Sequence, residues 1–318
     1  MATRGLVIAP HRFAVGYYRQ TFWNWLIGTA FFLGGVGGGL FLVSLLTGHV
    51  AGMIAGFLIV VVGKNTAHLL FLGRPERFLS AARRPDRSWI ARGIWAMGVF
   101  MVTGFVSILL QAHFQYIHLS EWAADVNFAL AAASAFFIAC YDGFLMRSSA
   151  GVAFWRTLLL PLLLLMYASL GGITLSLTIR ELRGEVLPAG LENLEHGLIV
   201  ANLFLLAIYL YRMSRSLPAA RETLREWLSG TYARFFFGLV LLVGLVATML
   251  LSLLHATVHA SVLVVLIAGC ELVGDFSMMM LMLKSGLFSP QIAPAYNRAT
   301  AFDRPSLMLS SPVSQRSP

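Results

Sequence analysis

Eight stretches of this chain are apolar over roughly the length needed to cross the hydrocarbon core of a bilayer, and nothing else in it constrains the fold as tightly. They run over 22–46, 50–71, 89–111, 122–146, 154–178, 197–211, 235–254 and 260–287, the sixth extending back toward Leu191. No water is available inside hydrocarbon, so every backbone N–H and C=O must find a partner within the protein. An uninterrupted run of this length does so as a helix. Composition agrees: 58% of the 318 residues are hydrophobic and 12% charged, more apolar surface than a soluble domain can hide. The expected fold is therefore an all-α integral membrane protein, about eight transmembrane helices in a bundle. The polytopic domain covers 22–287. A basic N-terminal segment, 1–21, precedes it, and a tail rich in Pro and Ser, 288–318, reads as extended or disordered. No connection is long enough to fold alone. The first twenty residues lack the compact apolar core and small-residue cleavage site of a secretory signal.

The formal net charge is +9. On a soluble protein that excess would suggest nucleic acid. Here the arginines sit in short connections between spans, so they report topology and contact with anionic lipid. They crowd the N-terminal segment, the 72–88 connection, the 147–156 connection and the 212–234 connection, where Arg212, Arg215, Arg221, Arg225 and Arg234 lie. On the opposite face Arg180 and Arg183 stand among Glu181, Glu185, Glu192 and Glu195. An even number of spans puts both termini on the basic face, and the positive-inside rule makes that face cytoplasmic. Within the 72–88 connection Pro75 and Pro85 stop helix from spreading, leaving a compact cationic loop suited to meeting something outside the bilayer.

Polar groups inside the apolar runs are few. The second run ends with Lys64, Asn65 and His68; Lys64 and His68 are one turn apart and share a helix face. The fourth ends with Tyr141 and Asp142, the fifth begins near Trp155, and the eighth carries Glu271 and Asp275 one turn apart. Ionisable groups at such depth are costly and pair or line a cavity. Given the span directions, Lys64, Asn65, His68, Tyr141, Asp142, Trp155 and Asp275 all lie toward the basic face, beside the arginine-rich loop. A pocket so lined suits a quinone headgroup, whose reduction takes two electrons and two protons. Tyr141 can donate a hydrogen bond, His68 can donate and exchange protons near neutral pH, and Lys64, Asp142, Glu271 and Asp275 can relay protons. Snorkelling of Lys64 to the headgroups is the competing reading for that residue.

The glycines of the first span, Gly34, Gly35, Gly37, Gly38 and Gly39, lack the preceding strand that a nucleotide loop requires and are spaced for close helix approach. Cys140 and Cys270 are too few for a zinc or iron–sulfur site, and no bound metal is predicted. Two other readings stand beside the quinone pocket. One is a haem-b anchor using His49, His255 or His259. The other is an ion-coupled secondary transporter using Lys64, Glu271 and Asp275, although the repeats common in that class are not evident.

The chain resembles the NrfD/PsrC-type membrane subunits of polysulfide reductase-like respiratory complexes. The resemblance is carried by His68-Leu-Leu-Phe-Leu-Gly-Arg-Pro-Glu-Arg-Phe78, Ser88-Trp-Ile-Ala-Arg-Gly93, Tyr141-Asp-Gly143 followed by Trp155, Glu271-Leu-Val-Gly-Asp275, Lys284-Ser-Gly286 and the opening Phe22-Trp-Asn-Trp25. It implies an anchor without a redox centre of its own in a bacterial or archaeal cytoplasmic (inner) membrane. Such an anchor exchanges electrons between menaquinone or ubiquinone and a ferredoxin-like four-cluster iron–sulfur subunit, which serves a molybdopterin catalytic subunit. On that resemblance Tyr141 associates with the quinone; the depth and chemistry of the residues themselves add His68, Asn65 and Trp155 as further quinone contacts and make Tyr141, His68 and Asp142 the groups acting on it. Arg74, Pro75, Arg77, Phe78, Trp89 and Arg92 form the docking loop. A histidine that some members carry on the first span is absent here, where Ala30 and its neighbours stand.

Overall fold

The computed structural model describes residues 17–114, 119–188 and 190–289, without the side chains of Pro75, Arg77 and Leu79. Arg4, Arg12 and the tail from 290 onward lie outside the described residues. Among those described, eight helices are long and apolar enough to cross a membrane: Trp25–Leu46, Val50–Phe71, Trp89–Gln111, Glu121–Arg147, Leu159–Leu182, Leu191–Ser214, Ala233–Val258 and Ser261–Lys284. We number them as spans one to eight.

The first and fifth spans are the most enclosed. The first packs against the second, fourth, fifth and eighth, and the fifth against the first, fourth, sixth and eighth. The first span's glycines explain how. An added Cβ at Gly39 would run into the Ala168 carbonyl of the fifth span, and one at Gly172 would meet the Gly39 and Leu40 backbone. The two helices thus touch backbone to backbone, a closeness only small residues permit. Gly38 faces Ala135 and Ala139 of the fourth span, and Gly37 faces Ile59 and Val60 of the second. The glycine run therefore serves several neighbours at once.

Span ends follow local chemistry. Ser88 and Ser120 cap the third and fourth spans by accepting from the amides of Ala91 and Ala123. The fifth span starts at Leu159, later than the sequence suggested. Thr157 Oγ1 accepts from Leu159 N at 3.2 Å, and Pro161 sits in the first turn, where its missing amide costs nothing. The apolar residues before it, Ala153–Trp155, form a buried 3-10 turn instead. Two stretches wind as π-helix, Ile59–Lys64 in the second span and Phe236–Ala247 in the seventh. The connection between the sixth and seventh spans is an amphipathic helix, Pro218–Leu228, that buries Trp227 and turns Arg221 and Arg225 outward.

Strand β1, Tyr18–Arg19, pairs antiparallel with strand β2, Leu287–Phe288. The first residue of the tail, Phe288, thus pairs in a short ribbon, and the tail from 290 lies outside the described residues. Gln20 reinforces it: its Nε2 donates to Leu283 O at 2.8 Å and its backbone amide to Gly286 O at 2.9 Å. Both ends of the described chain meet on one face, the basic one.

Candidate functional site

At the basic end of the second, third and fourth spans lies a cavity of about 380 Å³. Lys64, Asn65, His68 and Tyr141 supply its polar lining, and apolar side chains including Ile94, Met97, Met101 and Phe137 form the rest. That size is within the usual range of small-molecule sites. Ile90 and Met101 line it and are also 51% and 41% exposed on the outside of the bundle, so the cavity is bounded on one side by residues that face lipid.

The backbone sets up each polar group. Lys64 closes the π-helical turn of the second span, a wider winding that is common at functional positions. An added Cβ at Gly34 would collide with Lys64 Nζ, so glycine there leaves the room the ammonium occupies. Lys64 is 4% exposed, and its Nζ lies 3.4 Å from Asp142 Oδ1, a buried ion pair. The same Nζ lies 5.6 Å from the centre of the Tyr141 ring and 5.8 Å from that of Phe31, a cation–π arrangement. Snorkelling is thereby set aside: the ammonium points into the bundle. One turn on, His68 Nδ1 lies 3.3 Å from the Lys64 carbonyl. A carbonyl only accepts, so Nδ1 carries the proton and Nε2 of the neutral ring is left as an acceptor.

Tyr141 stands across the cavity on the fourth span, 6% exposed. Among the described residues its hydroxyl has no hydrogen-bond partner, which leaves it a donor for a guest. Gly93 of the third span explains its placement. A Cβ there would come within 2.6 Å of Tyr141 Cζ and 2.9 Å of its hydroxyl. The last residue of Ser88-Trp-Ile-Ala-Arg-Gly93 is thus glycine because the tyrosine ring lies against it. Gly93→Ala is expected to crowd the ring and cost about 1–3 kcal/mol of stability, as overpacking does, checked by the melting temperature in detergent; an unchanged melting temperature would show that the ring has room to move.

Several expected site residues stand elsewhere. Trp155 does not line the cavity. It stacks on Trp23 with ring centres 5.2 Å apart and donates through Nε1 to Met282 O at 3.0 Å, because the residues before the fifth span turn inward. Asp142 stands behind Lys64, facing a second, smaller cavity that it shares with Asp275 and Tyr167. Phe78, expected to face a partner, lines the main cavity from the loop. Arg92 holds the loop: its Nε donates to Pro85 O at 2.8 Å, its Nη2 to Asp86 O at 2.9 Å, and its guanidinium lies over Trp89. Trp95, which sequence reasoning passed over, donates to Ala82 O at 3.1 Å. Trp89 itself stacks on Phe144. Of the docking set, Arg74 is exposed, and the side chains of Pro75 and Arg77 lie outside the described residues.

On the opposite face His196 and His255 line one small cavity of about 30 Å³, far too little space for a haem. His49 lies 3.3 Å from Glu185, and burial, then the Arg180 guanidinium, lower its pKa. His255 and His259 are neighbours at one helix end, with rings 6.1 Å apart, and His196 contacts Ser252. A haem between axial ligands on facing helices finds no support in this arrangement. No curated protein matches the chain. A family model described as "Polysulphide reductase, NrfD" matches residues 14–291.

Proposed function

The chain belongs to the polysulphide reductase NrfD family, and on that premise we propose that it is the quinone-reactive membrane anchor of a respiratory oxidoreductase. In this reading it passes electrons between menaquinone or ubiquinone and a ferredoxin-like iron–sulfur subunit, which in turn serves a molybdopterin catalytic subunit. The observation that carries it is the cavity beneath the loop, lined by both Tyr141 and His68, with apolar walls that reach the lipid-facing side. Its volume takes a headgroup, and a side facing hydrocarbon leaves a path for an isoprenoid tail.

The chemistry follows from the donors and acceptors. A quinone offers two carbonyl oxygens; the Tyr141 hydroxyl donates to one. Neutral His68, with Nε2 free to accept, takes the two quinol protons one after the other, handing the first on to water before the second arrives, as the two electrons leave for the iron–sulfur subunit, and the reverse direction returns both. The Lys64 ammonium, close to the Tyr141 ring, favours the negative charge that develops on a reduced oxygen. Asp142 balances that ammonium and connects the site to the interior. The chain supplies the binding, the positioning and the protons, and the partner subunits supply the redox centres.

The exposed arginines of the basic face, including Arg74, Arg83, Arg84 and Arg87 in the loop, form the docking surface of the iron–sulfur partner. By the positive-inside rule this face is cytoplasmic, with both termini on that side of the inner membrane. The test is Tyr141→Phe. It removes one hydrogen bond while keeping the ring against Gly93, so quinol-linked turnover in membranes is expected to fall about tenfold, in line with ~1–1.5 kcal/mol for such a bond, with assembly intact. Unchanged quinol kinetics would take Tyr141 out of the mechanism, and a purified protein that binds no quinone analogue would overturn the function.

A further inference from the structure

The cationic loop between the second and third spans carries a large aromatic side chain, Phe78, in the middle of the 3-10 helix Pro75–Arg83. Around it Arg74, Glu76, Ser80, Arg83 and Arg84 are exposed, whereas Phe78 is half-buried and lines the main cavity. Among the described lining residues it is the one that no membrane span supplies. A phenyl ring on a water-facing loop gains by leaving water, but this ring has not gone into packed core. It faces open space, and among the described residues no other aromatic ring pairs with it. The other aromatic groups of the cavity are already engaged. Phe137 and Tyr141 pair with each other at 5.9 Å between ring centres, and the Lys64 ammonium lies over the Tyr141 ring.

The loop holds this ring in place from both ends. On the third span, Trp95 donates to Ala82 O, four residues beyond Phe78, and Arg92 donates to the Pro85 and Asp86 carbonyls. On the second span, the last helical turn closes with Leu72 N donating to His68 O at 3.1 Å. Gly73 follows with φ +62°, a conformation that glycine enters at no steric cost, and the chain turns out of the helix there. The turn that carries His68 therefore leads directly into the loop that carries Phe78. A ring that fills the cavity meets Phe78 on the loop side and Phe137 and Tyr141 on the fourth-span side.

We propose that Phe78 is the residue against which the quinone ring stacks, and that it makes the site favour the oxidised form over the reduced one. The inference rests on the quinone reading of the cavity given above. Two carbonyls draw electron density out of a quinone ring and leave its face electron-poor. The face of a phenyl ring carries the negative lobe of its quadrupole, so the two faces attract. A quinol ring is electron-rich and gains less from the same contact. Phe78 has no donor or acceptor of its own, so it discriminates by the electronics of the ring, while Tyr141 and His68 act on the oxygens. Specificity of this kind is a difference between two affinities. A site that holds the oxidised form more tightly also makes bound quinol the stronger reductant, the direction that sends electrons to the partner. Trp95 and Arg92 are positioning residues in this scheme: they act through the loop and do not touch the guest.

The test titrates the full chain, purified in detergent under argon, with menadione and separately with its reduced form, menadiol, and reads the ratio of the two affinities. Phe78→Leu keeps an apolar side chain but removes the aromatic face. It is expected to weaken menadione binding about fivefold and menadiol binding by less than about twofold, the size of an aromatic contact. Phe78→Tyr, which restores a ring, is expected to recover the preference for menadione. Should Phe78→Leu fail to fold, judged by gel filtration and melting, Trp95→Phe decides: it cuts the bond to Ala82, loosens the loop, and is expected to lower the ratio about twofold, part of the worth of one hydrogen bond. A folded Phe78→Leu that binds menadione as wild type does, or that loses both forms by the same factor, would overturn the stacking role and leave the quinone reading standing; so would an unchanged ratio in Trp95→Phe where that variant decides. A wild-type protein that binds neither form would sink the quinone reading itself, and this inference with it.

Discussion

Asp142→Ala is expected to destabilise the protein by about 3–5 kcal/mol, because it strands the Lys64 ammonium without its counter-charge inside the bundle. The pair is buried on both sides, with side-chain exposures of 5% and 3%, so solvent does little to screen the loss. The measurement is the melting temperature in detergent. A double variant, Lys64→Met with Asp142→Leu, removes both charges and keeps their volume, and should recover most of the stability. It would not recover quinol-linked turnover, since the cavity then lacks its cation. A single variant that melts like wild type would show that the pair does not hold this part of the bundle together.

His68→Ala is expected to lower quinol-linked turnover by about 10²–10⁴-fold, the range for losing a positioned general base. Its effect on stability should be small, because the ring is only partly buried and, among the described residues, its hydrogen bond is the contact with Lys64 O. Turnover measured in membranes at saturating quinol, with amounts of assembled protein matched, checks it. Turnover within a factor of about three of wild type would transfer the proton-accepting role elsewhere. On the proposed function the two variants separate two jobs, with Asp142 securing the ammonium and His68 taking the proton.

Much of this was legible in the chain, for reasons that can be named. Apolar run length located the spans because hydrocarbon leaves the backbone no alternative to helix; the second and third, Val50–Phe71 and Trp89–Gln111, fall on the expected boundaries. The depth of Lys64, Asn65, His68 and Tyr141 within their spans, together with span direction, brought them to one end of the bundle. What failed to show was orientation around each helix axis. Trp155 has the right depth, but its turn swings it to Trp23 and Met282. The π-helical turn at Ile59–Lys64 is silent in the pattern because a uniformly apolar segment looks the same in either winding. Glu195 reads as a loop acid because a residue four positions into a span looks like its edge. Its burial depends on Thr174 and Ser252, far away in the chain. Gly93 was visible as part of a motif, but its reason lies in Tyr141, which only the packing of the third span on the fourth reveals.

The ribbon between Tyr18–Arg19 and Leu287–Phe288 bears on how the molecule is made. Gln20 is bonded to Leu283, 263 residues further along. A ribosome delivers the first segment long before its partner exists, so the earliest part of the chain waits with its edge open until the eighth helix has been inserted. Closure of this clasp must therefore wait for the eighth helix, and a nascent chain halted before it would leave Tyr18–Arg19 without its partner strand.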